Sequence, residues 1–164
     1  MKIGKFNVQV TQRRKDIIGV MIWTAVISLV MIKAHIILYQ DPFFDVYGWA
    51  FKRYRPPSLG MLDMLILVAI SVAITIILSD AKPIIYGFVS SLALSFIIAV
   101  TYVSLFVWYV LGWGDILSSQ SAYGWEWALY LGFLNMFYVI PWVVGTCSMG
   151  LVIGIIARGW LMVS

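Results

Sequence analysis

The sequence contains very few of the residues from which catalytic and metal-binding sites are built. Its only cysteine, histidine and glutamate are Cys147, His35 and Glu126. A bis-histidine haem, a zinc or copper centre or a di-iron bundle needs several such ligands from one chain. The sequence also lacks phosphate-binding loops, nucleophile elbows, zinc-protease motifs and dinucleotide-binding fingerprints. We therefore expect no cofactor, no metal and no catalysis by this chain alone.

Charged residues are scarce as well, at 11% of the 164 residues, whereas 63% are hydrophobic. The mean hydropathy is +0.98. A water-soluble domain this apolar could not cover its surface with polar groups, so lipid is the expected solvent for most side chains. The formal net charge of +4 is not concentrated in a basic face of the kind that binds nucleic acid. The composition predicts a single transmembrane domain, 1–164, of the all-α class.

Four apolar segments are long enough to be transmembrane helices, because about 20 residues cross the ~30 Å hydrocarbon core. They are residues 17–39, 61–79, 84–111 and 127–157. The first follows a basic segment, 1–16, and is longer than the apolar part of a cleaved signal peptide, so we expect it to remain as a membrane helix. Pro141 predicts a kink in the fourth span.

The distribution of Lys and Arg predicts how these spans are oriented. Seven basic residues lie on the side of both termini, namely Lys2, Lys5, Arg13, Arg14, Lys15, Lys82 and Arg158. The three on the other side are Lys52, Arg53 and Arg55. This excess predicts that both termini are cytoplasmic. The sequence has no organelle-targeting signal, so the expected location is the plasma membrane of a prokaryote.

The segment 41–57, between the first two spans, combines aromatic and basic side chains. They include Trp49, Phe51, Lys52, Arg53 and Arg55. Aromatic rings and long basic stems are typical of the headgroup level, where each has an apolar part and a wet part. We interpret the segment as a short interfacial helix that anchors the fold. The alternative is a docking surface for a partner subunit, since large aromatic patches often mark interfaces.

Small residues recur at four-residue intervals within the spans. They are Gly87, Ser91, Ser95 and Ala99 in the third span, and Gly150 and Gly154 in the fourth. Membrane helices associate where small residues let their backbones approach closely, so we predict that these ridges pack against other helices. The contacts are either within one four-helix bundle or with neighbouring molecules. Because only residues 79–83 link the second and third spans, we expect those two to pack as an antiparallel hairpin.

Four polar or ionisable side chains fall in the outer half of the predicted bundle, where exposure to lipid is costly. They are Lys33, His35, Asp63 and Asn135. Lys33 and His35 are about 200° apart around a helix and cannot share a face. We expect His35 to be hydrogen-bonded within the bundle. A polar pocket in which Asp63 pairs with Lys33 or His35 is one alternative, and metal binding by His35 is another.

These features favour a structural function over a catalytic one. A small helical membrane protein with several packing ridges is suited to be an accessory subunit of a multi-subunit complex, such as a respiratory or membrane-monooxygenase assembly. By analogy with this class of protein, its expected partners are other membrane subunits and lipids. A homo-oligomeric four-helix transporter or channel, with a polar layer in its outer half, is the alternative. A membrane enzyme that takes its ligands from a partner chain is the third.

Overall fold

The computed structural model describes residues 3–40, 59–78, 80–110 and 123–163, and within these ranges the only regular structure is helical. The four helices are α1 (Ile3–Gln40), α2 (Met61–Ile77), α3 (Ala81–Val110) and α4 (Tyr123–Val163). The all-α prediction is therefore confirmed. The whole segment 41–57, with all five residues predicted to anchor the fold at the interface, lies outside the described residues.

Three of the helices contain stretches long and apolar enough to cross a membrane. These stretches are Gln12–Ile36, Ala81–Phe106 and Gly132–Leu161. Large aliphatic side chains such as Met21, Leu29 and Ile97 are exposed on their outer faces, as expected where lipid replaces water. Helix α2 has 17 residues, which corresponds to about 26 Å and falls short of the usual hydrocarbon thickness. The fold is that of a helical membrane protein.

Hydrogen bonds between α1 and α3 establish that these two helices run parallel. The hydroxyl of Ser91 donates to the carbonyl oxygen of Val20 at 3.2 Å, and that of Ser95 donates to the carbonyl oxygen of Thr24 at 2.9 Å. Both pairs are separated by 71 residues in the sequence. A constant separation along two helices means that their residues advance in the same direction.

Helix α2 runs antiparallel to α1. Lys33, late in α1, contacts Asp63 at the start of α2, whereas Trp23, a few turns earlier, bonds to Ser71. Helix α4 runs parallel to α2, because Gly150 lies against Val68 and Ser71, and Gly154 lies against Thr75. Successive helices therefore alternate in direction.

The order of the helices around the bundle differs from the order along the chain. Helix α1 packs mainly against α3, α2 packs mainly against α4, and α3 also packs against α4. Within the described ranges, α2 and α3 make almost no contact along their lengths. The two helices run antiparallel as predicted, but the prediction that they pack against each other is therefore wrong. A short link fixes only the ends of two helices, and here the small-residue faces of α3 and α4 are directed at α1 and α2.

Bulky apolar side chains fill the centre of the bundle. The largest that are fully buried come from all four helices: Trp23, Ile27, Met31, Leu67, Ile74, Val103, Met136, Val139 and Val143. Helix α4 continues through Pro141, and the hydroxyl of Thr146 in the following turn donates to the carbonyl oxygens of Trp142 and Val143. Val139 and Val143, on either side of Pro141, are both fully buried, so the core extends along both halves of α4.

Candidate functional site

An ion pair joins α1 to the first turn of α2. The Nζ atom of Lys33 lies 2.6 Å from Oδ1 of Asp63, and the two side chains are 48% and 5% exposed. The other carboxylate oxygen of Asp63 accepts a hydrogen bond from the backbone N–H of Gly60 at 3.3 Å. Asp63 therefore supplies a negative charge and an acceptor to a helix N-terminus, where unpaired N–H groups and the helix dipole favour both.

The pairing of opposite charges explains why these two side chains are tolerated at this depth. An isolated carboxylate at the edge of the hydrocarbon would be strongly disfavoured, but a basic partner compensates much of its charge. Lys33 is half-exposed, so its ammonium group can stay partly solvated while it contacts the carboxylate, as long basic side chains do at membrane interfaces. The pair forms a polar tie near one end of the bundle.

The other two predicted polar residues are buried on different helices. His35 is fully buried, and its ring meets Phe106 of α3 edge-on, with a centroid distance of 6.3 Å and an interplanar angle of 87°. Asn135 is buried on α4. The structure therefore brings Lys33 and Asp63 together and turns His35 toward α3, in agreement with the separation of Lys33 and His35 around α1.

A buried tryptophan that the sequence reasoning overlooked connects three helices. Nε1–H of Trp23 donates to the hydroxyl of Ser71 at 3.1 Å, which ties α1 to α2. Its ring also packs against Phe88 of α3, with centroids 5.4 Å apart. Tryptophan in membrane helices is usually found at the interface, so a tryptophan in mid-span beside a serine-containing helix is the signal that could have identified this contact.

The small-residue ridge of α3 lies against α1. Ser91 and Ser95 donate their hydrogen bonds to α1 carbonyl oxygens, and Ala99 is fully buried in the same row. At Gly87, an added Cβ would come within 2.8 Å of Cγ2 of Val20, closer than such atoms normally approach. This ridge is therefore occupied inside the chain.

The glycine ridge of α4 lies against α2 in the same manner. A Cβ at Gly150 would lie 2.6 Å from the carbonyl oxygen of Val68, and one at Gly154 would lie 2.7 Å from Cβ of Thr75. Gly132, which the sequence reasoning did not single out, makes a third close approach, because its Cβ would overlap the hydroxyl of Ser104 on α3. Glycine at these positions allows backbone to approach backbone, as in other closely packed membrane helices.

At the opposite end of the bundle from the ion pair, Arg158 closes the C-terminus of α2. Its Nη1 donates to the carbonyl oxygen of Leu78 at 2.8 Å. The last carbonyl groups of a helix have no intrahelical partner and carry the negative end of the helix dipole, so a guanidinium is favourable there. The side chain of Leu78 also contacts Gly19 and reaches toward Gly87. All four helices converge at this point.

The arrangement can hold helices together, and it offers few groups for chemistry. In the described part of the chain, no three His, Cys, Asp or Glu side chains are grouped so that they could hold a metal ion. In comparisons with known proteins, no family model, no curated protein and no solved structure matches the chain. The packing and polar contacts of the helices are therefore the features that bear on function.

Proposed function

We propose that this chain is a non-catalytic structural subunit of a larger membrane complex, with respiratory and membrane-monooxygenase assemblies as the expected class. The observation that carries the proposal is the use made of buried polar side chains. Ser91, Ser95 and Trp23 each donate a hydrogen bond to a neighbouring helix. Groups that bind substrates or ions face a cavity, whereas these groups join helices.

The remaining buried hydroxyls support the same conclusion. Thr24, Ser28, Thr75 and Ser104 each donate to the carbonyl oxygen four residues earlier in their own helix. This pattern satisfies a hydroxyl without any external partner. Together with the bulky apolar core, it favours a rigid bundle over one that opens a path for a solute.

Four spans with both termini in the cytoplasm belong to this proposal, as does a prokaryotic plasma membrane. The contacts of α2 support its role as a span, because it follows α1 from the level of Lys33 to that of Gly19, about 21 Å along the helix. A helix shorter than the hydrocarbon is accommodated by local thinning of the bilayer. The basic residues in the N-terminal part of α1 and near the C-terminus of α4 support the orientation.

Purification in mild detergent followed by native mass spectrometry tests the subunit proposal. We expect the tagged chain to be recovered at a fixed stoichiometry with larger membrane subunits that carry the cofactors of a catalytic complex. The control is a tagged, unrelated membrane protein of similar size expressed at the same level. A monodisperse homodimer or homotetramer with no other chain would count against the proposal.

A small transporter is the second candidate, and the buried carboxylate of Asp63 is the observation that favours it. Ionisable groups inside membrane proteins often mark ion pathways. Flux measured in proteoliposomes with Asp63→Asn and His35→Ala distinguishes the two functions. Loss of transport in both variants, with the fold retained, would support the transporter function. Equal flux through the variants and the original chain would exclude a transport path at these residues.

A further inference from the structure

The charges of the described residues are distributed unevenly between the two ends of the bundle. Of the six basic residues whose side chains the structure describes, five lie at the end where α2 is linked to α3. This basic end comprises Arg13, Arg14, Lys15, Lys82 and Arg158. The acids there are Asp16 and Asp80, whereas the opposite end has Asp63 and Glu126 with Lys33. The basic end therefore carries the net positive charge.

The basic residues of α1 form the largest exposed group at this end. Arg13, Arg14 and Lys15 are all exposed, while Asp16 in the same turn is half-buried. Successive residues of a helix are about 100° apart, so the three basic side chains spread over roughly 200° of its circumference. Arg158, by contrast, is engaged with the carbonyl oxygen of Leu78. Lys82 is also exposed, but it is a single cation on α3, so the three adjacent α1 side chains are the largest exposed basic group of this end.

The position of these side chains along α1 coincides with the edge of the apolar surface. Ile17, Ile18 and Met21, which follow directly, are 54%, 56% and 65% exposed. Lys33 comes 20 residues after Arg13 in the sequence, about 30 Å along the helix and therefore close to one hydrocarbon thickness. The guanidinium groups accordingly lie at the level of lipid headgroups, with exposed apolar side chains on their membrane side.

We infer that Arg13, Arg14 and Lys15 bind the phosphate groups of anionic phospholipids, whose acyl chains run along Ile17, Ile18 and Met21. Guanidinium groups match phosphate oxygens in geometry and charge, and an anionic leaflet attracts basic residues near its surface. The depth of the three residues favours a lipid over an acidic protein or a nucleic acid, because each cation adjoins an apolar surface exposed to the membrane. The inference does not depend on the chain being a subunit of a complex.

The full chain reconstituted in nanodiscs of phosphatidylglycerol and phosphatidylcholine provides the test. After mild extraction, native mass spectrometry measures which lipids remain bound. We expect phosphatidylglycerol to be retained over phosphatidylcholine, and the preference to fall by about fivefold or more when all three basic residues are replaced by Gln. The preference should also weaken as salt is raised, because exposed charges are screened.

Two matched variants serve as controls. Arg13→Lys with Arg14→Lys keeps the charge and should keep most of the preference, and Glu126→Gln alters the charge at the opposite end and should leave it unchanged. Circular dichroism of each variant verifies that the helices are retained. An unchanged lipid preference in the triple Gln variant would overturn the inference. So would an acidic partner protein that co-purifies with the original chain before reconstitution and is lost from the triple Gln variant, with the bound lipids unaltered.

Discussion

At the scale of single residues, the Lys33–Asp63 pair is the contact whose removal has the clearest physical consequence. Asp63 is nearly buried and Lys33 is half-exposed, so the two partners are not equivalent. Loss of Lys33 leaves a buried carboxylate without its counter-charge, whereas loss of the Asp63 charge leaves a lysine that water and headgroups can solvate. The sequence is sufficient to predict that both residues lie near one end of the bundle. It does not predict that they pair with each other, because that depends on how α1 and α2 pack.

Lys33→Met should therefore destabilise the fold by about 1–2 kcal/mol, less than a fully buried pair because Lys33 is partly exposed. Adding Asp63→Asn should restore part of that loss, since the neutral side chain no longer needs a counter-charge. Unfolding in mixed micelles of increasing sodium dodecyl sulfate measures both. A double variant less stable than Lys33→Met would mean that the pair is not the source of the effect.

At the scale of helices, the small-residue ridges decide which helices are neighbours. The four-residue interval from Gly87 to Ala99 is visible in the sequence, because it follows from the helical repeat. The identity of the facing helix is not, since serine can donate to the backbone of any helix that comes close. Trp23 was overlooked for a related reason: its indole N–H needs a partner, and nothing local to α1 identifies Ser71 as that partner.

Adjacent serines of α3 provide a matched test of the contact between α1 and α3. Ser91 is buried against α1 and Ser90 is exposed on the outer face. Ser91→Leu should destabilise the bundle by about 1–3 kcal/mol, because it forces extra volume between two close backbones and removes a hydrogen bond. Ser90→Leu, which adds an apolar side chain facing lipid, should cost nothing. Equal stabilities for the two variants in detergent unfolding would contradict this packing.

Glycines of α4 provide the corresponding test for the contact between α2 and α4. Gly150→Ala should destabilise by about 1–3 kcal/mol, because its methyl group would overlap the backbone of α2 and force the helices apart. Gly145 has no neighbouring atom within 4 Å of an added Cβ, so Gly145→Ala should be neutral or stabilise by up to about 1 kcal/mol through higher helix propensity. Thermal aggregation in detergent compares the two, and an equal loss in both would exclude a specific close approach.

At the scale of the whole molecule, the four helices alternate in direction and form one bundle with two distinct ends. One end is basic, and there all four helices meet around Leu78. Composition and hydropathy were sufficient to predict a helical membrane protein. The arrangement in which α2 and α3 lie diagonally opposite was not predictable, because loop length limits only the separation of helix ends.

The proposed topology predicts opposite accessibility for Lys82 and Glu126. In a Cys147→Ala background, Lys82→Cys should react with a membrane-impermeant maleimide only from the cytoplasmic side, and Glu126→Cys only from the outer side. Intact cells and inverted vesicles expose one side each. Labelling of both positions from the same side would rule out this topology.

A role in bracing other subunits predicts that a packing defect in the chain changes the amount of assembled complex and not the turnover of each complex. Ser91→Leu and Ser90→Leu would each replace the original gene copy, and the complex that co-purifies with the chain would be measured in both strains. If the chain has this bracing role, Ser91→Leu should reduce the amount of assembled complex and leave the activity of each assembled complex unchanged, and Ser90→Leu should match the original. A normal amount of complex with reduced activity per complex would contradict it.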